Sequence, residues 1–128
     1  MQRPFLLLSS FSGAVAVLLG AFGAHYLKEK LSTDALHSFQ TGVSYQFWHT
    51  FALITVAILI EKYQGRLLTA SGYLFAAGII LFSGSLYLLS TRALWGGDAF
   101  TWIGAITPVG GLCFAVAWIL MLINFTKN

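Results

Sequence analysis

Charge is scarce in this chain: 7 Lys and Arg and 4 Asp and Glu make up only 9% of its 128 residues. An ordinary soluble domain carries about 25% charged residues, so a conventional solvated surface is excluded. Cysteine is almost absent. Cys113 stands alone within an apolar stretch, which rules out an internal disulfide or a thiolate cluster and leaves it as a small core residue. The formal charge of +3 is not gathered into a basic cluster or stripe, so it carries no nucleic-acid footprint. The apolar runs hold no paired carboxylates, no Ser-His-acid set and no phosphate loop. With no catalytic constellation, no enzyme activity is expected.

What the chain has in abundance is apolar length. Hydrophobic residues make up 58% of it, and the charges leave four uncharged runs at 4–27, 35–60, 67–91 and 99–126. Each run can cross a hydrocarbon layer of roughly 30 Å, which takes about 20 helical residues. The fold class is therefore all-α: an integral membrane four-helix bundle forming a single domain over 1–128. The spans are placed at about 4–24, 43–60, 67–90 and 100–125. Segment 35–42 sets Leu36 and Phe39 against His37, Gln40 and Thr41, and reads as a short interfacial helix leading into span 2. The first run is too long for a signal-peptide core and reads as a retained helix. An even number of crossings puts both termini on one side, with Arg3, Lys62, Arg66 and Lys127. Lys28, Lys30 and Arg92 fall on the other. This four-to-three count favours cytoplasmic termini.

Local signals fill in the spans. Ser9, Gly13, Ala16, Gly20 and Gly23 recur at steps of three and four, a small-residue stripe that lets helices approach closely. Ser32 or Thr33 caps the next helix, with Asp34 in its first turn. In span 2, Tyr45 and His49 are four apart and Gln46 and His49 three apart, so they share a face. Span 3 follows a hairpin at Gly65, offers Gly72 and Ala76 for packing, and sets Ser83 and Tyr87 four apart. Gly96-Gly97 marks a turn. Pro108 removes a backbone donor inside span 4 and is expected to free the carbonyl near Gly104 and kink the helix.

Polar side chains in hydrocarbon must find partners. Spans 1 and 3 end where spans 2 and 4 begin. His25, Tyr45, Gln46, His49, Ser83, Tyr87 and Thr107 are therefore expected to gather in the membrane half away from the termini. His49 is placed about 9 Å below the start of span 2, at 1.5 Å per residue. Trp48, Trp95 and Trp102 lie near the same face, as an aromatic belt would. The half nearer the termini is expected to be almost purely apolar.

Four motifs carry a resemblance: Gly20-Ala-Phe-Gly-Ala-His25, Thr41-Gly-Val-Ser-Tyr-Gln46 with His49, Leu81-Phe-Ser-Gly-Ser-Leu-Tyr87 and Gly104-Ala-Ile-Thr-Pro-Val-Gly-Gly111. Over essentially its whole length the chain resembles the small four-helix family known as domain of unknown function 423, of the bacterial YgdD and YwdK type. The vertebrate transmembrane protein 256 is similar. Ser32-Thr33-Asp34 departs from the Pro and Glu usual after that serine, which touches only the helix cap. The resemblance implies a multi-pass protein of a bacterial inner membrane and supplies no activity.

Three functional readings follow, in order of weight. In the first, the polar cluster is an interhelical hydrogen-bond network that fixes register, in a structural or accessory membrane subunit. In the second, the cluster is a binding or transport site for a small solute, a lipid or a quinone, with His25 or His49 as donor or proton relay. Four spans make a thin wall for a pathway, and Pro108 is not at the midplane where broken transporter helices meet. In the third, His25 and His49 ligate haem or a metal. His25 is shallower than His49, and neither His37 nor Asp98 stands at a ligand spacing, so no cofactor or metal is expected. The expected partners are the lipid bilayer and either further copies of the chain or a larger membrane complex.

Overall fold

The computed structural model describes residues 2–127. Four of its helices are long and apolar enough to cross a membrane: Gln2–Lys30, Thr33–Leu59, Arg66–Ser90 and Gly97–Lys127. Among the described residues there is no strand. We label α1 Gln2–Lys30, α2 Thr33–Leu59 and α3 Arg66–Ser90. A short α4, Arg92–Trp95, follows; then a 3₁₀ segment, Gly97–Ala105, leads into α5, Ile106–Lys127. Two π turns interrupt the long helices, Gly23–Leu27 in α1 and Ile79–Ser83 in α3.

Helix ends follow the local chemistry. Ser32 caps α2 by accepting from the Ala35 backbone N–H at 3.2 Å, with Asp34 in the first turn. Gly96 ends α4 in the left-handed region at φ 72°, where a side chain would be strained.

Two expectations are corrected. Segment 35–42 is not a separate interfacial helix: α2 runs unbroken from Thr33 to Leu59. Its first turns are held upright because Phe39 is 2% exposed, packed on the Tyr87 ring at 5.0 Å between centroids. Gly42 faces Tyr87 as well. Pro108 likewise makes no mid-helix kink. It is the third residue of α5, just after the 3₁₀ segment gives way to α-helix. The residues before it coil as a tighter helix, and the Ile106 N–H bonds back to the Ile103 carbonyl.

α2 and α3 form the centre, with α1 flanking α2 and α5 flanking α3. The small-residue stripe of α1 lies along α2, where Gly13 meets Thr50, Gly20 meets Val43 and Gly23 meets Phe39. On the other flank, Gly78 lies against the Phe114 ring and Gly110 against the backbone of Phe82. The main apolar core, including Phe5, Leu53, Val56, Leu68, Phe75, Phe114 and Met121, fills the half nearer the termini. That half is less apolar than expected, for Ser9, Ser71 and Asn124 are buried there too.

Candidate functional site

The polar cluster is built around Gln46, which is 4% exposed. Gln46 follows the start of α2 by 13 residues, about 20 Å at 1.5 Å per residue. It therefore stands at the middle of its helix, deeper than a span beginning at 43 would place it. Its Nε2 donates to the Ser12 carbonyl at 2.9 Å and to Ser12 Oγ at 3.2 Å. A carbonyl only accepts, so this bond fixes which end of the amide is nitrogen. Oε1 then faces Tyr87, whose hydroxyl donates to it. Ser12 Oγ also pairs with Thr50 Oγ1 at 2.7 Å. One chain of hydrogen bonds thus ties α1, α2 and α3 together.

His49, one turn further along α2, joins α5. Its Nδ1 lies 2.8 Å from the Tyr45 carbonyl, and the Trp118 indole N–H donates to its Nε2 at 3.2 Å. Indole nitrogen can only donate and a carbonyl can only accept, so the ring is the neutral Nδ1–H tautomer. Both nitrogens are committed. A proton added at Nε2 would set two donors against each other, and a metal there would have to displace the indole. The imidazole is stacked on Phe114 at 3.6 Å between centroids and 9° between planes.

Two smaller bonds complete the centre. Ser83 Oγ donates to the Gly42 carbonyl at 2.7 Å, pinning α3 to α2. Ser85 and Thr107 share a hydroxyl hydrogen bond between α3 and the start of α5. Of the residues singled out from the sequence, Gln46 and Tyr87 bond directly, and Ser83, His49 and Thr107 each bridge helices. Tyr45 contributes its carbonyl and a ring packed on Phe82 at 4.5 Å. His25 does not join them. The π turn buries Gly23 and Leu27, which leaves His25 exposed on the outer side of α1.

Ser12, Thr50, Ser85 and Trp118 were not picked out from the sequence. Ser12 sits beside the stripe of small residues and passes for packing. Trp118 carried a usable signal: tryptophan favours the membrane interface, so an indole N–H in mid-helix needs an acceptor.

Four apolar helices enclosing buried interhelical hydrogen bonds define a polytopic membrane protein. The particular family follows from its relatives. The family described as "Protein of unknown function (DUF423)" matches residues 19–111, and the chain belongs to it. It is 41% identical over 127 residues to the UPF0382 membrane protein YwdK of Bacillus subtilis, covering 98% of each chain. It is 39% identical over 125 residues to the UPF0382 inner membrane protein YgdD of Escherichia coli, covering 96% of this chain and 89% of the relative. A UPF0382 membrane protein of Haemophilus influenzae is 40% identical over 129 residues, covering 100% of this chain and 98% of its own. No solved structure matches.

Proposed function

We propose that the protein is a non-catalytic structural or accessory subunit of a membrane assembly, with the central polar cluster acting as its interhelical clamp. One observation carries this reading: both ring nitrogens of His49 and both ends of the Gln46 amide are bonded within the chain. Groups that relay protons or ligate metals need an open valence, whereas these have been spent on holding helices together. Lipid provides no hydrophobic drive between helices, so polar pairs and close packing must specify the arrangement. The assembly partner is a further copy of the chain or a larger membrane complex, and it should persist when membranes are solubilised in mild detergent.

The test is His49→Leu. It removes the acceptor for Trp118 and the donor to Tyr45, and should lower stability in detergent by about 1–3 kcal/mol. Unchanged thermal melting would overturn the clamp. The setting is an inner membrane with the termini in the cytoplasm, supported by the relatives' names and by Arg3, Lys62, Arg66 and Lys127 on the terminal side. A reporter fused to the C-terminus should be active only in its cytoplasmic form; activity of the exported form reverses the orientation.

A further inference from the structure

The clamp leaves one part of its bonding capacity unspent, and that part faces lipid. α1 and α3 meet where Phe5 lies on Gly72 and edge-on to Tyr73, 5.1 Å between ring centroids. Beyond that contact the seam between them opens into a groove of about 360 Å³, which reaches α2. Leu8, Ile80 and Gly84 line its apolar part, and Ser12, Gln46 and Tyr87 its polar part. Ile80 is 71% exposed, so the groove is open sideways to the hydrocarbon. Its volume falls in the range of small-molecule sites.

The hydrogen-bond inventory says what can complete it. The amide nitrogen of Gln46 is turned to Ser12, donating to its carbonyl and its hydroxyl oxygen. Tyr87 has one proton, and it goes to Gln46 Oε1. An amide oxygen and a phenolic oxygen each retain a further lone pair. With the Ser12 hydroxyl donating to Thr50 Oγ1, the polar lining of the groove offers acceptors and no free donor. A ketone, ester or ether entering here finds nothing to bond to these groups. Among the described residues no charged one lines the groove, so a phosphate or carboxylate finds no counter-charge there. Ordinary phospholipid headgroups also stay at the interface, about 15 Å away across half the hydrocarbon core. The ligand must carry its single polar group to mid-depth, and that group must donate.

We infer that the α1/α3 groove binds a neutral single-chain amphiphile ending in a hydroxyl, aliphatic or phenolic. Its chain lies along Leu8 and Ile80, and its O–H donates to Gln46 Oε1. The ligand enters laterally from the bilayer. This reading goes beyond the clamp, because it uses only lone pairs that the clamp leaves over.

Gly84 provides a clean block. A Cβ added there meets nothing within 4 Å, so Gly84→Leu fills the groove without disturbing its helix neighbours. The experiment uses the full chain in phosphatidylcholine vesicles with hexadecanol carrying a photoreactive diazirine in mid-chain. Labelling should be saturable and map to segments 8–15 and 76–84. Unlabelled hexadecanol or 4-dodecylphenol should compete about tenfold better than their methyl ethers. Gly84→Leu, and independently Ile80→Trp, should each cut labelling about tenfold while thermal melting stays at the wild-type value. Competition by the alcohol alone or the phenol alone supports the site and identifies which source of hydroxyl it takes. Equal competition by the ethers overturns the inference, as does labelling that never saturates or that persists in both blocked variants. Blocked variants that change oligomeric state while labelling is unaltered would assign the groove to a second copy instead.

Discussion

The two flanks of the bundle solve the same problem with different closeness of approach. α1 lays a glycine stripe along α2 and is bonded to it through Ser12 to Gln46 and Thr50. α5 is bonded too, by Trp118 to His49 and Thr107 to Ser85, but comes nearer: Gly110 brings it against the Phe82 backbone, and Gly78 receives the Phe114 ring. A glycine contact of that kind allows backbone-to-backbone approach and large dispersion contact. A hydrogen-bonded flank tolerates gaps, and the open groove between α1 and α3 is such a gap. In a solvent that does not press helices together, polar bonding leaves room that close packing removes.

Three substitutions sharpen this contrast. The largest effect is expected at Gly110→Leu, because even a Cβ there would overlap the Phe82 backbone, which cannot rotate aside. α5 must then move off α3 as a whole, at a cost of about 3 kcal/mol or more, read as loss of a detergent-stable fold. Wild-type melting of that variant would mean the packed flank contributes little. Gln46→Leu comes next. It strips the Tyr87 hydroxyl of its acceptor and the Ser12 carbonyl of its donor, and should cost about 2 kcal/mol, with α1 becoming the first element open to proteolysis. If α5 were released first, the assignment of bonds to flanks would be reversed. The smallest change is His25→Ala. This histidine is exposed and outside the network, so melting should move by less than about 0.5 kcal/mol. A larger loss would give His25 a partner within the bundle.

Much of this was legible in the residues and some was not, for identifiable reasons. Four charge-free runs settle the number of crossings, and parity brings the C-terminal part of α3 beside the N-terminal part of α2. Gln46 and Tyr87 could therefore be expected to meet, because an amide in hydrocarbon has no water to fall back on. Ser12 was illegible because a small hydroxyl beside glycines serves packing and bonding equally well. The depth of His49 is not legible because segment 35–42 alternates polar and apolar residues, like a helix lying on a membrane. The burial of its Phe39 depends on Tyr87, 48 positions downstream, which no local pattern reveals. Pro108 reads as a kink from the sequence because its place in the helix depends on where α5 begins, and the 3₁₀ segment sets that start at Ile106.

The π turn Ile79–Ser83 carries a consequence for how this chain can vary. Such a turn accommodates one extra residue relative to a regular α-helix, and each residue advances the helix by about 100°. Upstream, Phe75 and Gly78 serve the apolar core; at the end of the turn and beyond it, Ser83 and Tyr87 are aimed at α2. Drawing the turn into a regular α-helix with all five residues kept would swing the last two turns of α3 by roughly a quarter of a revolution. Ser83 and Tyr87 would then miss Gly42 and Gln46 together, whereas loss of one residue from 79–82 would let a regular helix keep both aims, so this turn is where α3 can shorten without losing its face.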